Sequence, residues 1–121
     1  MRVIIDLIED VREQIGNHET YEVMAGLLKE DAQDSTKLIY AGEAPLNAAE
    51  IEREKRQLTF KIDGSDKNLT IGALIPSILK LDMDAMMFEL KMDVNTHYKG
   101  MEIVGFGKND ELKRYILFIK I

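Results

Sequence analysis

The chain has no cysteine, no tryptophan, two prolines and two histidines among its 121 residues. Without cysteine there is no disulfide framework, no thiol nucleophile, no zinc–thiolate site and no cysteine-ligated iron–sulfur cluster. That absence is compatible with the cytoplasm, which is the expected location. Long apolar runs are missing too. The longest charge-free apolar stretch is Leu69 to Leu79, well short of the roughly 20 residues that cross a bilayer, so no membrane association is expected. Asp6, Glu9 and Asp10 interrupt what would be the apolar centre of an export signal in MRVIIDLIED, so none is expected. The sequon-like Asn68-Leu69-Thr70 then carries no meaning.

Positive charge is also in short supply. The 16 Lys plus Arg face 22 Asp plus Glu, a net charge of −6. Residues 1–56 hold seven basic and thirteen acidic side chains, and 57–121 hold nine of each, so the first half carries the whole excess. Such a chain repels phosphate backbones, and no nucleic-acid partner is expected. Its acidic half can attract a basic protein, or simply keep the chain soluble.

What is present suits one α+β domain over 1–121, since 45% hydrophobic side chains can build a core. Ile4, Leu7, Ile8, Val11 and Ile15 recur at helical spacing within 2–15, with Gly16-Asn17 as a stop. Tyr21, Met24, Leu27 and Leu28 suggest a second helix over 19–31, although Tyr21-Glu22-Val23 also suits a strand. Lys37 to Ala41 reads as a short strand, and Gly42 to Leu46 as a turn. Asn47 and Glu50 have the spacing of a capping box ahead of a charged helix over 48–56.

Beyond that point the period changes to two. Leu58, Phe60 and Ile62 alternate with Thr59, Lys61 and Asp63, and the pattern returns at Phe88, Leu90, Met92 and Val94. Residues 101–107 and 112–121 suit a hairpin joined through Lys108 to Glu111. Residues 69–83 fit either a helical face or an extended run, because Gly72 and Pro76 count against an unbroken helix. The expected order is helix, helix, strand, helix, then an antiparallel meander. The first helices would cover one face of a curved, mainly antiparallel sheet of about five or six strands, cone-like or half-barrel. Across most of the chain this order resembles the nuclear transport factor 2-like cone, with no diagnostic motif. That family includes isomerases, dehydratases and dimerising binding modules, so the resemblance implies a curved sheet and no particular activity.

No catalytic motif stands out. Ser35, Ser65 and Ser77 lie in no nucleophile elbow. Gly105-Phe106-Gly107 starts a dinucleotide fingerprint, but Asp110 stands where its last glycine belongs. Asp63 to Asn68 imitates a calcium loop, but Lys67 and Leu74 occupy positions that need oxygen ligands. No metal site or cofactor is expected. The weak metal candidates are Asp82 and Asp84, which share one face if extended. The weak catalytic candidates are His97, Asp84 and Tyr40, with His97 needing a carboxylate such as Asp84 or Glu102 beside it. His18 follows the first helix.

Three features bear on interaction instead. Asp6, Glu9, Asp10 and Glu13 form an acidic stripe at helical spacing, either a docking stripe or a solvated face. Five of seven methionines fall between Met83 and Met101, and Met86 and Met87 point to opposite faces of any strand. Tyr115, Leu117, Ile119 and Ile121 make one apolar face of the final strand, and Ile116 and Phe118 make a second. A strand apolar on both faces needs cover on both. Helices supply one cover; a second sheet, a curl of the same sheet or another subunit supplies the other. The leading expectation is a homo-oligomeric interaction module without catalysis, with Ile116, Phe118, Met86 and Met87 at its interface. The alternatives are a small-pocket lyase or isomerase using a carboxylate with His97 or Tyr40, and an acidic adaptor that binds a basic protein through the stripe.

Overall fold

The computed structural model describes residues 1–16 and 20–121. Two helices, α1 (Ile4–Gln14) and α2 (Ile71–Leu79), accompany seven strands: β1 (Glu22–Glu30), β2 (Leu38–Pro45), β3 (Ala48–Glu52), β4 (Gln57–Lys61), β5 (Glu89–Asp93), β6 (Met101–Asn109) and β7 (Arg114–Lys120). A short 3₁₀ turn, Asp84–Met87, leads into β5. The α+β class is as expected, but the sheet is larger and mixed. Its order is β2-β1-β7-β6-β5-β4-β3, and β1 runs parallel to β7 as β4 does to β5. The element order that resembled the cone is not the order of this chain, and the cone shape is matched only roughly.

Sheet order and connectivity together dictate a curl. β2 and β3 are the two edge strands, yet only Leu46 and Asn47 separate them in the chain. The sheet must therefore bend until its edges meet at that dipeptide. Leu46 donates its N–H to Val23 O of β1 (3.1 Å), while Asn47 donates to Lys61 O of β4 (2.9 Å). The carbonyl of Leu46 accepts from Leu69 N (2.7 Å), and Leu69 O accepts from Val23 N (2.8 Å). This junction buries Leu46 completely. Elsewhere the edge strands have no ladder between them, and the sheet stays open.

Two expected helices are strands. In β1, Val23, Ala25 and Leu27 point to the helix-covered core, and Met24, Gly26 and Leu28 to the other face. Apolar residues on both faces mimic helical spacing, so the i, i+3, i+4 matches among Tyr21, Met24, Leu27 and Leu28 are a by-product of double-sided burial. Residues 48–56 form β3 and a turn into β4. Ala and Glu favour a helix, but pairing with β4, Ala49 opposite Phe60 and Ile51 opposite Leu58, overrides that weak preference. The expected capping box dissolves with the helix. Asn47 Oδ1 accepts from Asp63 N, and its Nδ2 donates to Ser65 O and Lys67 O. Glu50 pairs with Lys61.

The ambiguous segment is helical over Ile71–Leu79 despite Gly72 and Pro76, and no extended run follows it. Thr70 caps α2 by accepting from Ala73 N, and residues 80–83 turn the chain into the 3₁₀ turn Asp84–Met87. Pro76 sits within α2, where a nine-residue helix has few internal bonds to lose.

The helices fill the concave face. α1 buries Ile4, Leu7, Ile8 and Val11. Its start is stitched to β5 by Ile4 N→Phe88 O and Leu90 N→Arg2 O. Its end is held where Lys108 Nζ donates to Gln14 O (2.9 Å), a cation against the negative end of the helix. Midway, the buried Tyr115 hydroxyl donates to Asp10 (2.6 Å). Phe60, Leu90, Met92, Ile103, Leu117 and Ile119 complete the core from the sheet side.

Candidate functional site

The ionisable residues singled out in the sequence are dispersed. Asp84 pairs with Arg56 (3.1 Å), and Asp82 with Arg53 (3.4 Å) while also accepting from Ala85 N. Both carboxylates thus tie the 3₁₀ turn to the β3–β4 turn. His97 is exposed in the β5–β6 loop, its ring edge-on to Tyr98. Tyr40 lies on β2 beside Phe118, and Glu102 pairs with the N-terminal amine. His97, Asp84 and Tyr40 share no hydrogen-bond, ion-pair or ring partner among the described residues. Among the described residues, no group of three or more His, Asp or Glu could hold a metal ion. His18 lies outside the described residues.

The acidic stripe is half structural. Asp6 accepts from Val3 N at the start of α1, and Asp10 receives the Tyr115 hydroxyl. Burial, and then the Asp10 carboxylate, push the Tyr115 phenol well above its ordinary range. Glu9 and Glu13 are exposed, and neither makes a side-chain bond among the described residues. They border a shallow cleft shared with Arg2 and Phe106, where the Arg2 guanidinium lies over the Phe106 ring at 5.9 Å.

The convex face of β7 is covered from within. Gly26 of β1 lies opposite Phe118, and Gly107 of β6 opposite Ile116. A Cβ on Gly107 would stand 2.7 Å from the Phe118 ring, and one on Gly26 would stand 2.6 Å from Ile116 and 2.7 Å from the ring. Phe118 therefore lies flat over two glycine troughs, a close approach that only glycine permits. Ile116 beneath is only 5% exposed. Arg114 and Glu43 pair at 3.0 Å on the same face.

Tyr40 meets Phe118 edge-on, with ring centroids 6.1 Å apart. Burial and the neighbouring Glu43 carboxylate raise its phenol, with Arg114 opposing. Tyr40 also belongs to an apolar run on the open edge of the sheet. Leu38, Ile39 and Tyr40 are 47%, 39% and 49% exposed. Residues 38–45 pair only with β1 among the described residues. The opposite edge is built differently: β3 carries Glu50 and Glu52, charged residues of the kind that discourage strand addition. Beside it, Glu50, Glu52, Lys61, Asp93 and Lys99 line a polar cleft. Its charges are largely self-paired, through Lys61–Glu50 (2.9 Å) and Lys55–Glu52 (3.2 Å). Met86 packs against the core and Met87 is exposed, both on the 3₁₀ turn beside α1.

Sequence reasoning missed one concave feature. Between α1 and α2 lies an apolar groove of about 290 Å³, floored by Ile8, Val11 and Ile71 and walled by Ile75, Pro76 and Leu79. Its signal was in the sequence: α2 has no charged residue at all, and a helix without a charged face leaves apolar surface in need of cover.

Comparison of the chain with protein-family models, with curated proteins and with solved structures finds no match.

Proposed function

We propose that the protein is a non-catalytic interaction module that self-associates through the β2 edge. The observation that carries this reading is the exposed run Leu38-Ile39-Tyr40 on a strand whose outer side has no partner among the described residues. An edge strand with open backbone donors and acceptors and apolar side chains is a template for another strand. A second copy fits it by symmetry. Antiparallel pairing across a two-fold axis through Ile39 sets Ile39 against its own counterpart and Leu38 opposite Tyr40, an isologous contact. Phe118 flanks this contact through Tyr40, so one of the four residues expected at an interface from the sequence remains in the proposal. Ile116 is already buried within the chain, and Met86 and Met87 belong to another surface.

Light scattering on a sizing column across a dilution series tests the reading. A dimer is expected for the native chain, and Ile39→Lys should return it to a monomer with an unchanged circular dichroism spectrum. Ile39 is exposed, so its replacement leaves the core intact. A monomer at every concentration, or a dimer indifferent to Ile39→Lys, overturns it.

A further inference from the structure

We infer that the α1–α2 groove is a binding site for an amphiphile with one unbranched alkyl chain and a carboxylate head. The floor is sealed by core residues, since Ile8, Val11 and Ile71 are buried. The walls reach solvent: Pro76 is exposed, Ile75 half-buried, and Leu79 57% accessible at the end of a helix without charged residues. An apolar trough of about 290 Å³ is at the small end of ligand sites and matches a slender occupant.

The head group follows from charge. Among the described residues, Arg12 is the one charged side chain that lines the groove. It is exposed and has neither an ion pair nor a hydrogen bond there. The acidic residues of α1 lie around a different cleft, with Arg2 and Phe106. A chain of net charge −6 thus presents, at the lip of its apolar trough, one cation unpaired among the described residues. A carboxylate there would take the paired N–H groups of the guanidinium, while the tail would replace water along Ile75, Pro76 and Leu79. This inference does not rest on self-association, because the groove and the β2 edge share no residue.

The probe is decanoate, titrated calorimetrically below its micellar concentration into the full chain, with decanol as the uncharged control. Saturable one-to-one binding of decanoate is expected, tighter than decanol. Arg12→Gln should weaken decanoate about ten-fold, the loss of one hydrogen-bonded charge at an exposed site, and leave decanol unchanged. Leu79→Asp, at an exposed position that folding does not need, should weaken both. Absence of saturable binding overturns the inference. So does decanoate binding that Arg12→Gln leaves unaltered, or that Leu79→Asp leaves unaltered.

Discussion

Replacing Gly107 by alanine should destabilise the protein, although the same change in an ordinary strand stabilises it. Glycine in a strand interior costs roughly 0.5–1 kcal/mol relative to alanine, through its greater freedom in the unfolded chain. That gain is offset here because the new methyl would stand 2.7 Å and 3.1 Å from two carbons of the Phe118 ring, inside van der Waals contact. Overpacking of this kind costs about 1–3 kcal/mol. The net effect is then a loss of about 0.5–2 kcal/mol, held down because Phe118 is half-buried and its ring has room to lift. The partner variant is Phe118→Ala, which removes the ring and with it the clash. In that background Gly107→Ala should stabilise by roughly 0.5 kcal/mol, the ordinary value. The change of sign is a coupling of about 1–2.5 kcal/mol, large enough for a double-mutant cycle in urea denaturation. Gly26→Ala supplies a contrast. Its Cβ would meet Ile116 as well as Phe118, and Ile116 is buried, so Phe118→Ala should rescue it only in part. A Gly107→Ala protein that is more stable than the native one, or equally destabilised with and without the ring, would refute this packing.

Two further changes test the interior ties. Tyr115→Phe removes the hydroxyl that donates to Asp10 and should cost about 1.5 kcal/mol. The value sits at the low end for a charged acceptor because Asp10 is half-buried and water can replace the phenol. The same residue governs alkaline behaviour. Tyr115 and Tyr40 are raised chiefly by burial, and Tyr21 chiefly by its bond to Asp110. Above the ordinary phenol value of 10.0, the unfolded chain sheds protons that the native one retains. Stability is therefore full below about pH 10 and falls above it, and Tyr115→Phe should make that fall shallower in thermal melts from pH 8 to 11. Asn47→Ala removes three hydrogen bonds to the 63–67 loop and should cost about 1–2 kcal/mol, with faster proteolysis at Asp63 to Lys67. Asn47→Asp keeps the acceptor and loses both donors, so it should fall between.

The parts of the fold legible in the sequence were those with one buried face. Ile4 to Val11 shows a single helical stripe, and Leu58-Phe60 and Leu90-Met92 alternate cleanly, so α1, β4 and β5 were readable. β1 was not, because Met24 and Leu28 are apolar on the convex side as Val23 and Ala25 are on the concave side. β3 was not, because Ala and Glu carry a local preference that only pairing with β4 reverses. The β1–β7 parallel pair was beyond reach, since it joins segments 92 residues apart in the chain; the β4–β5 pair is joined through α2, a crossover hidden by the ambiguity of residues 69–83. The two-faced apolar character of β7 was visible from Ile116 and Phe118. The glycine troughs that absorb it needed the register, which sets Gly26 beside Phe118 and Gly107 beside Ile116. The charge-free stretch from Leu69 to Leu79 shows a helical face in the sequence, but Gly72 and Pro76 obscure the helix, and the groove beside it needed the packing of α1.

The parallel ladder between β1 and β7 also has a kinetic meaning. Glu22 pairs with Arg114 and Leu28 with Lys120, each across 92 residues of chain. During synthesis β1 and β2 leave the ribosome long before β7 exists, and β7 is the strand that stands between β1 and the rest of the sheet. Until it arrives, the β1–β2 hairpin has no lateral support and exposes Val23 and Ala25. Completing the sheet needs a loop closure over about three quarters of the chain, the kind of non-local pairing that slows folding. The hairpin waiting longest is also the one that carries the exposed Leu38, Ile39 and Tyr40.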